Sequence, residues 1–209
     1  MFDRTAISEV LNLIFQQRVF FYSEADFQVV LAKSLAKRYS EFDIYLEEPL
    51  NHGSIDIVIK DESGALKCVI ELKYNLAITE GVKNFNRNKD GEIKFNVKKG
   101  SGGYNSARYS FWKDVSKLKM IVSKNTIGFV IFLTNHKGHW QDGDIECGVD
   151  RFFKIGENRP VVKGALVWQS TDKQNKVHPT VIIENSYNLK SAWHSVEDSE
   201  FRYLFLEVK

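Results

Sequence analysis

The stretch GSIDIVIKDESGALKCVIELKY, Gly53 to Tyr74, decides how the rest of the chain is read. Two β-branched runs flank a polar segment ending in Ser63-Gly64, the sequence form of a β-hairpin. Each run carries charge where a core strand should be apolar: Asp56 in the first, Glu71 and Lys73 in the second. Alternation puts Glu71 and Lys73 on one face, roughly 7 Å apart along the strand, with Leu72 turned away. A turn centred between Ser63 and Gly64 pairs residues whose numbers sum to 127, which sets Asp56 opposite Glu71 with Cβ atoms roughly 5 Å apart. A four-residue turn, Asp61 to Gly64, makes the two diagonal neighbours on the same face. Opposed carboxylates destabilise a hairpin unless positive charge lies between them, and a divalent cation beside Lys73 meets that need.

Composition sets the frame. With 209 residues, 43% apolar and 27% charged, the chain is long enough for one domain with a substantial core. A formal net charge of +2 gives no global polyanion signal, so a nucleic-acid surface must come from local clustering. Cys68 and Cys147 form neither a disulfide framework nor a CxxC pair. The start MFDRTAISEVLNLIF lacks a signal-peptide layout, and no apolar run approaches the roughly 18–20 residues of a membrane span. The expectation is a soluble cytoplasmic protein with no membrane partner.

Outward from the hairpin, apolar spacing at Ile7, Val10, Leu11, Ile14 and Phe15 predicts a helix over 5–20. Ser23, with Asp26 three residues on, predicts the N-cap of a second helix over 24–39 that buries Phe27, Val30, Leu31 and Leu35. Glu24 sits in its first turn, where the helix dipole alone accounts for a negative charge and a role in the hairpin site is the alternative. Phe42 to Glu48 alternates as a strand that Pro49 should break. An amphipathic helix is expected over 106–124 through Phe111, Val115, Leu118 and Val122, with Lys113, Asp114 and Lys117 on its other side. Thr126 to Thr134 reads as a strand buried on both faces, so a crossover helix joins it to the Glu71 strand. Ala165 to Trp168, Val181 to Glu184 and Tyr203 to Val208 are further strand candidates.

Residues 75–108 differ in character. Lys83, Arg87, Lys89, Lys94, Lys98, Lys99 and Arg108 stand against Glu80, Asp90 and Glu92, a local net of +4. Following directly on the carboxylate strand, this segment reads as a phosphate-contacting insertion, with Lys83, Arg87, Lys98, Lys99, Arg108 and Lys117 as nucleic-acid contacts. Other chemistries are weaker. His136-Lys137-Gly138-His139 with Cys147 offers three loosely spaced zinc candidates where a structural site wants four, so a polar loop is the better reading. Gly100-Ser101-Gly102-Gly103 lacks the Lys-Ser/Thr of a phosphate loop, and no serine or cysteine sits in a nucleophile elbow. The four tryptophans are scattered and read as core or rim residues.

Asp56, a spacer of fourteen residues, then Glu71-Leu72-Lys73 resembles the PD-(D/E)XK, or restriction-endonuclease-like, phosphodiesterase superfamily. Glu-x-Lys alone is a weak signal, but here it lies on β-branched strands after a helix bearing Glu24 and before a helix and a buried strand. Ile55 stands where the motif has Pro. The resemblance spans roughly residues 20–135. It implies an α/β restriction-endonuclease-like core in α-β-β-β-α-β order, a central mixed sheet flanked by helices. Residues 136–209 lie outside the resemblance and are expected to form a β-rich C-terminal elaboration of the same single domain. It further implies Mg²⁺ or Mn²⁺ held by Asp56, Glu71 and the Leu72 carbonyl, with Lys73 and Glu24 as catalytic residues. The implied activity is a metal-dependent nuclease, on DNA more than RNA, with a homodimer or partner protein left open. An inactive nucleic-acid-binding or complex-forming module and an RNA-cleaving toxin are the alternatives.

Overall fold

The computed structural model describes residues 2–18, 20–77, 103–141, 148–169 and 178–209. Helix α1 (Arg4–Gln17) starts at Asp3, whose carboxylate accepts the Ala6 N–H at 2.8 Å and satisfies one of the orphan donors of the first turn. Its five predicted apolar residues, Ile7 to Phe15, are all buried. Helix α2 (Glu24–Arg38) is capped as expected, the Ser23 hydroxyl accepting the Asp26 N–H at 3.1 Å. Glu24 and Asp26 in its first turn and Lys37 and Arg38 in its last both suit the helix dipole. Phe27, Leu31 and Leu35 are buried and Val30 packs against them half-exposed.

Strands β1 (Asp43–Leu50), β2 (Gly53–Lys60), β3 (Leu66–Asn75) and β4 (Ile127–Thr134) precede a two-stranded ribbon, β5 (Val162–Leu166) with β6 (Val181–Tyr187). Then come β7 (Trp193–Ser195) and β8 (Arg202–Val208). The main sheet has six strands in the order β1-β2-β3-β4-β8-β7. Among the described strands only β3 and β4 run parallel, with helix α3 (Tyr104–Lys119) between them in sequence. The sheet is therefore mixed, with α1 and α2 covering one face and α3 and the ribbon the other. From Gly128 to Thr134, β4 is buried throughout, as a strand between two covered faces must be. Among the described residues no helix is long and apolar enough to cross a membrane.

Four expectations need correction. β1 runs through Pro49, which pairs with Ser54, because β1 is an edge strand and a missing N–H costs no ladder bond on the open side. β8 pairs with β4, so the last two strands of the C-terminal third join the central sheet, while the β5–β6 ribbon stays outside it. α3 ends at Lys119, and Val122 packs from the turn beyond it. The first ribbon strand ends at Leu166, short of Trp168.

The hairpin register is the one expected, reached by another turn. Ile57 pairs Ile70, Val58 pairs Val69 and Ile59 pairs Cys68, each summing to 127. Near the turn the register slips by one, Lys60 opposite Leu66. The Asp61 carboxylate organises a loop by accepting the N–H groups of Ser63 and Ala65 at 3.0 Å, and Gly64 takes φ +78°. The ladder stops at Ile57, one residue short of Asp56. There the pleat breaks: Ile57 belongs to the α1–α2 core but Ile55, two residues earlier, belongs to the α3 core. Beside the break, Glu47 of β1 adopts φ +51°.

Candidate active site

Three elements converge where the pleat breaks. Glu71 and Lys73 leave β3 on the α3 side, with Val69, while Ile70, Leu72 and Tyr74 fill the opposite core. Asp56 is not a flat cross-strand partner of Glu71. Freed from the ladder, its carboxylate bends over β3 and accepts the Leu72 N–H at 2.6 Å. Gln28 of α2 clamps this strand by donating to the Asp56 carbonyl at 2.6 Å and to the Glu47 carboxylate at 2.8 Å. Glu24, in the first turn of α2, accepts the Tyr74 N–H at 2.8 Å and stands 3.6 Å from the Lys73 ammonium, so it lies at the hairpin face as well as at the helix start. Lys73 further donates to the Leu72 carbonyl at 2.7 Å and pairs with Asp114 at 3.0 Å.

Helix α3 completes the cluster. Asp114 and Lys117 lie one turn apart, and Lys117 is ion-paired with Glu71 and donates to the Ser54 carbonyl at 2.9 Å. Four carboxylates (Glu24, Asp56, Glu71, Asp114) thus meet two ammonium groups (Lys73, Lys117). Fully ionised, the six groups carry a net charge of −2, the deficit a divalent cation fills.

Electrostatics agree with that count. Burial, reinforced by Asp114 and Asp56 and opposed by Lys117, pushes the Glu71 carboxyl up to about 8. Burial also raises Asp56, against the pull of the Leu72 N–H and Lys73, and raises Glu24 against Lys73 and the Tyr74 N–H. For Lys73 burial works against the charge, but Asp114, Glu24 and Asp56 together outweigh it and hold the ammonium protonated beyond its ordinary range. Glu71 is 2% exposed, and its Oε1, though paired with Lys117, has no hydrogen bond of regular geometry.

Donor chemistry decides which ion these residues suit. Among the described residues no three carboxylate, imidazole or thiolate groups form a ready-made metal cage. The donors in reach are hard oxygens, Asp56, Glu71 and the Leu72 carbonyl. One or two carboxylates with water completing the shell is how Mg²⁺ is commonly held, so the residues fit that ion.

The expected nucleic-acid contacts divide. Lys83, Arg87, Lys98 and Lys99 lie outside the described residues, as does Cys147. Arg108 is 2% exposed and bound to Asp150 at 2.9 Å, so it serves the core and is not a phosphate contact. Its neighbours explain why: Arg108, Phe111, Val115 and Leu118 follow the apolar stripe of α3, a spacing already visible in the sequence. Lys117 belongs to the carboxylate cluster instead of an outer basic surface. His139 is no loop residue but fully buried, its Nε2 2.9 Å from Asn75 Oδ1, and burial helped by Arg108 keeps it neutral, pushed down to about 2. All four tryptophans are buried. Sequence reasoning does not find Asp114 and Gln28 as site residues. Asp114 stands in plain view on the polar side of α3, but nothing in a helix pattern separates a site carboxylate from a solvated one.

Comparison with protein-family models, with curated proteins and with solved structures returns no match.

Proposed function

We propose that the chain is a divalent-cation-dependent nuclease that hydrolyses phosphodiester bonds at the Glu24–Asp56–Glu71–Lys73 face, with DNA as its substrate. The observation that carries this reading is the cluster of four carboxylates, Glu71 and Asp114 buried and Glu24 and Asp56 half-buried, against two ammonium groups, set on the broken strand β2, on β3 and on two helices. The order α2-β1-β2-β3-α3-β4 and the placing of Asp56 and Glu71-Leu72-Lys73 on neighbouring strands support the resemblance to PD-(D/E)XK enzymes. That resemblance is also the ground for preferring DNA to RNA.

Asp56, Glu71 and the Leu72 carbonyl would hold the cation. When bound, Mg²⁺ supplies Lewis-acid polarisation of a phosphoryl oxygen and lowers the pKa of a bound water. Lys73, held protonated by its acidic neighbours, acts as a fixed positive charge facing the oxygens that gain negative charge at phosphorus, and not as the base. Glu24 holds the Lys73 ammonium in line, and burial that raises its pKa suits it to accept a proton from the attacking water. The Leu72 N–H fixes the Asp56 carboxylate, so one ligand is oriented by the strand that carries the other.

A cleavage panel of double-stranded DNA, single-stranded DNA and transfer RNA, with Mg²⁺ and with chelator, tests the reading. Cleavage of DNA that chelator abolishes is the expected result. Cleavage of transfer RNA alone would identify an RNA-cleaving toxin. Binding without cleavage of any substrate in millimolar Mg²⁺ or Mn²⁺ would make the chain an inactive nucleic-acid-binding module.

A further inference from the structure

Lys117 has no part in the hydrolytic scheme above, yet it touches the most buried carboxylate of the site. Its ammonium is ion-paired with Glu71 Oε1, donates to the Ser54 carbonyl at 2.9 Å and stands 3.8 Å from Asp114 Oδ1. The other Asp114 oxygen faces Lys73 at 3.0 Å. Among the described residues Lys117 is the one cation paired with Glu71. A carboxylate this buried cannot stand ionised and alone; it needs a proton, a fixed cation or a metal ion.

We propose that Lys117 is an internal competitor for the divalent cation, its ammonium occupying the Glu71 carboxyl oxygen in the metal-free protein and passing to Asp114 when the cation binds. This rests on the reading of Asp56 and Glu71 as ligands. The geometry makes the exchange short. Asp114 is one helical turn before Lys117, so side-chain rotation carries the ammonium from Glu71 to Asp114 Oδ1 without moving α3. The second ammonium has the same option, since Lys73 donates to the Leu72 carbonyl but already contacts Asp114 Oδ2. Asp114 is thus a dock for both displaced cations, one on each oxygen. In this scheme Lys117 and Asp114 are positioning residues. Lys117 weakens metal binding, Asp114 recovers part of the loss by receiving the displaced ammonium groups, and the balance ties occupancy to a high cation concentration.

Mn²⁺ binding to the full chain, measured by titration calorimetry, tests the exchange without reference to activity. The proteins compared are wild type, Lys117→Met, Lys117→Gln, Lys117→Arg, Asp114→Asn and Asp56→Asn. Removing the competing charge in Lys117→Met should tighten Mn²⁺ binding roughly tenfold, whereas Lys117→Arg, which keeps the charge, should stay within about twofold of wild type. Lys117→Gln retains a donor for the Ser54 carbonyl and carries the same expectation as the methionine variant, which covers a failure of that variant to fold. Asp114→Asn removes the dock and should weaken binding, an effect that should shrink in the Lys117→Met background. Equal or weaker binding in both neutral variants would overturn the proposal and make Lys117 a simple support for Glu71, leaving the metal reading intact. No binding by any protein, or undiminished binding by Asp56→Asn, would overturn both.

Discussion

Replacing Glu71 with Gln separates a carboxyl held neutral by its surroundings from one held ionised by Lys117. In the unfolded chain a Glu titrates near pH 4.3, while in the folded protein burial with Asp114 and Asp56 pushes Glu71 up to about 8. Between those values the unfolded state gives up the proton and the folded state keeps it. The stability contributed by protonated Glu71 is therefore complete below about pH 4.3 and is lost as pH rises toward about 8. At about 1.4 kcal/mol per pH unit the loss has a ceiling near 5 kcal/mol, and rearrangement of Lys117 toward the ionised carboxylate lowers it, giving on the order of 2–5 kcal/mol. Gln is isosteric and does not titrate. In chelator, urea unfolding should give wild type and Glu71→Gln stabilities within about 1 kcal/mol of each other at pH 5, with the variant ahead by on the order of 2–5 kcal/mol at pH 8.5. Asp56 and Glu24 shift in the same direction but are present in both proteins, so the difference isolates Glu71. A difference that is flat with pH, or wild type gaining on the variant as pH rises, would show that Lys117 holds Glu71 ionised and that burial does not dominate.

Asp56→Asn should abolish Mg²⁺-dependent cleavage while leaving the metal-free protein as stable as wild type or up to about 1 kcal/mol more so, because the amide oxygen can still accept the Leu72 N–H and one repelling charge is gone. Thermal unfolding with and without Mg²⁺ checks it, the ion raising the wild-type midpoint but barely that of the variant. Arg108→Met should cost about 3–5 kcal/mol in urea unfolding by stranding buried Asp150, without changing the salt dependence of nucleic-acid binding; a loss below about 1 kcal/mol with a shallower salt slope would restore Arg108 as a phosphate contact. Lys98→Gln with Lys99→Gln should weaken binding of all duplex sequences alike and reduce the log–log salt slope by roughly 0.9 for each phosphate left without its lysine, and an unchanged slope would remove this pair from the interface.

The hairpin is legible in the sequence because period-2 alternation constrains both face and register. A slip of one residue would turn Ile57, Ile59 and Ile70 out of their core. Caps and apolar stripes likewise place α1 and α2 to within a few residues. What stays hidden depends on contacts distant in sequence. The left-handed Glu47 and the pleat break at Ile55 exist because β1, β2 and Gln28 of α2 meet there, and no local pattern announces them. The edge position that tolerates Pro49 follows from strand order, and the joining of β8 to β4 from a return of the chain across the ribbon. Asp114 and Lys117 look solvated in the sequence because a polar helix face reads alike whether it meets water or a carboxylate cluster. Arg108 misleads differently: its charge belongs with the basic run around it, while its position belongs to the apolar stripe, and position wins.

The claim on which the functional account rests is that one divalent ion is shared by Asp56 and Glu71. Anomalous diffraction from crystals of the protein grown in millimolar Mn²⁺ addresses it most directly. The account predicts a manganese peak bonded to both carboxylates and to the Leu72 carbonyl, with the Lys73 and Lys117 ammonium groups moved onto Asp114. No peak at that face, or a peak held by one carboxylate while Lys117 stays on Glu71, would contradict it.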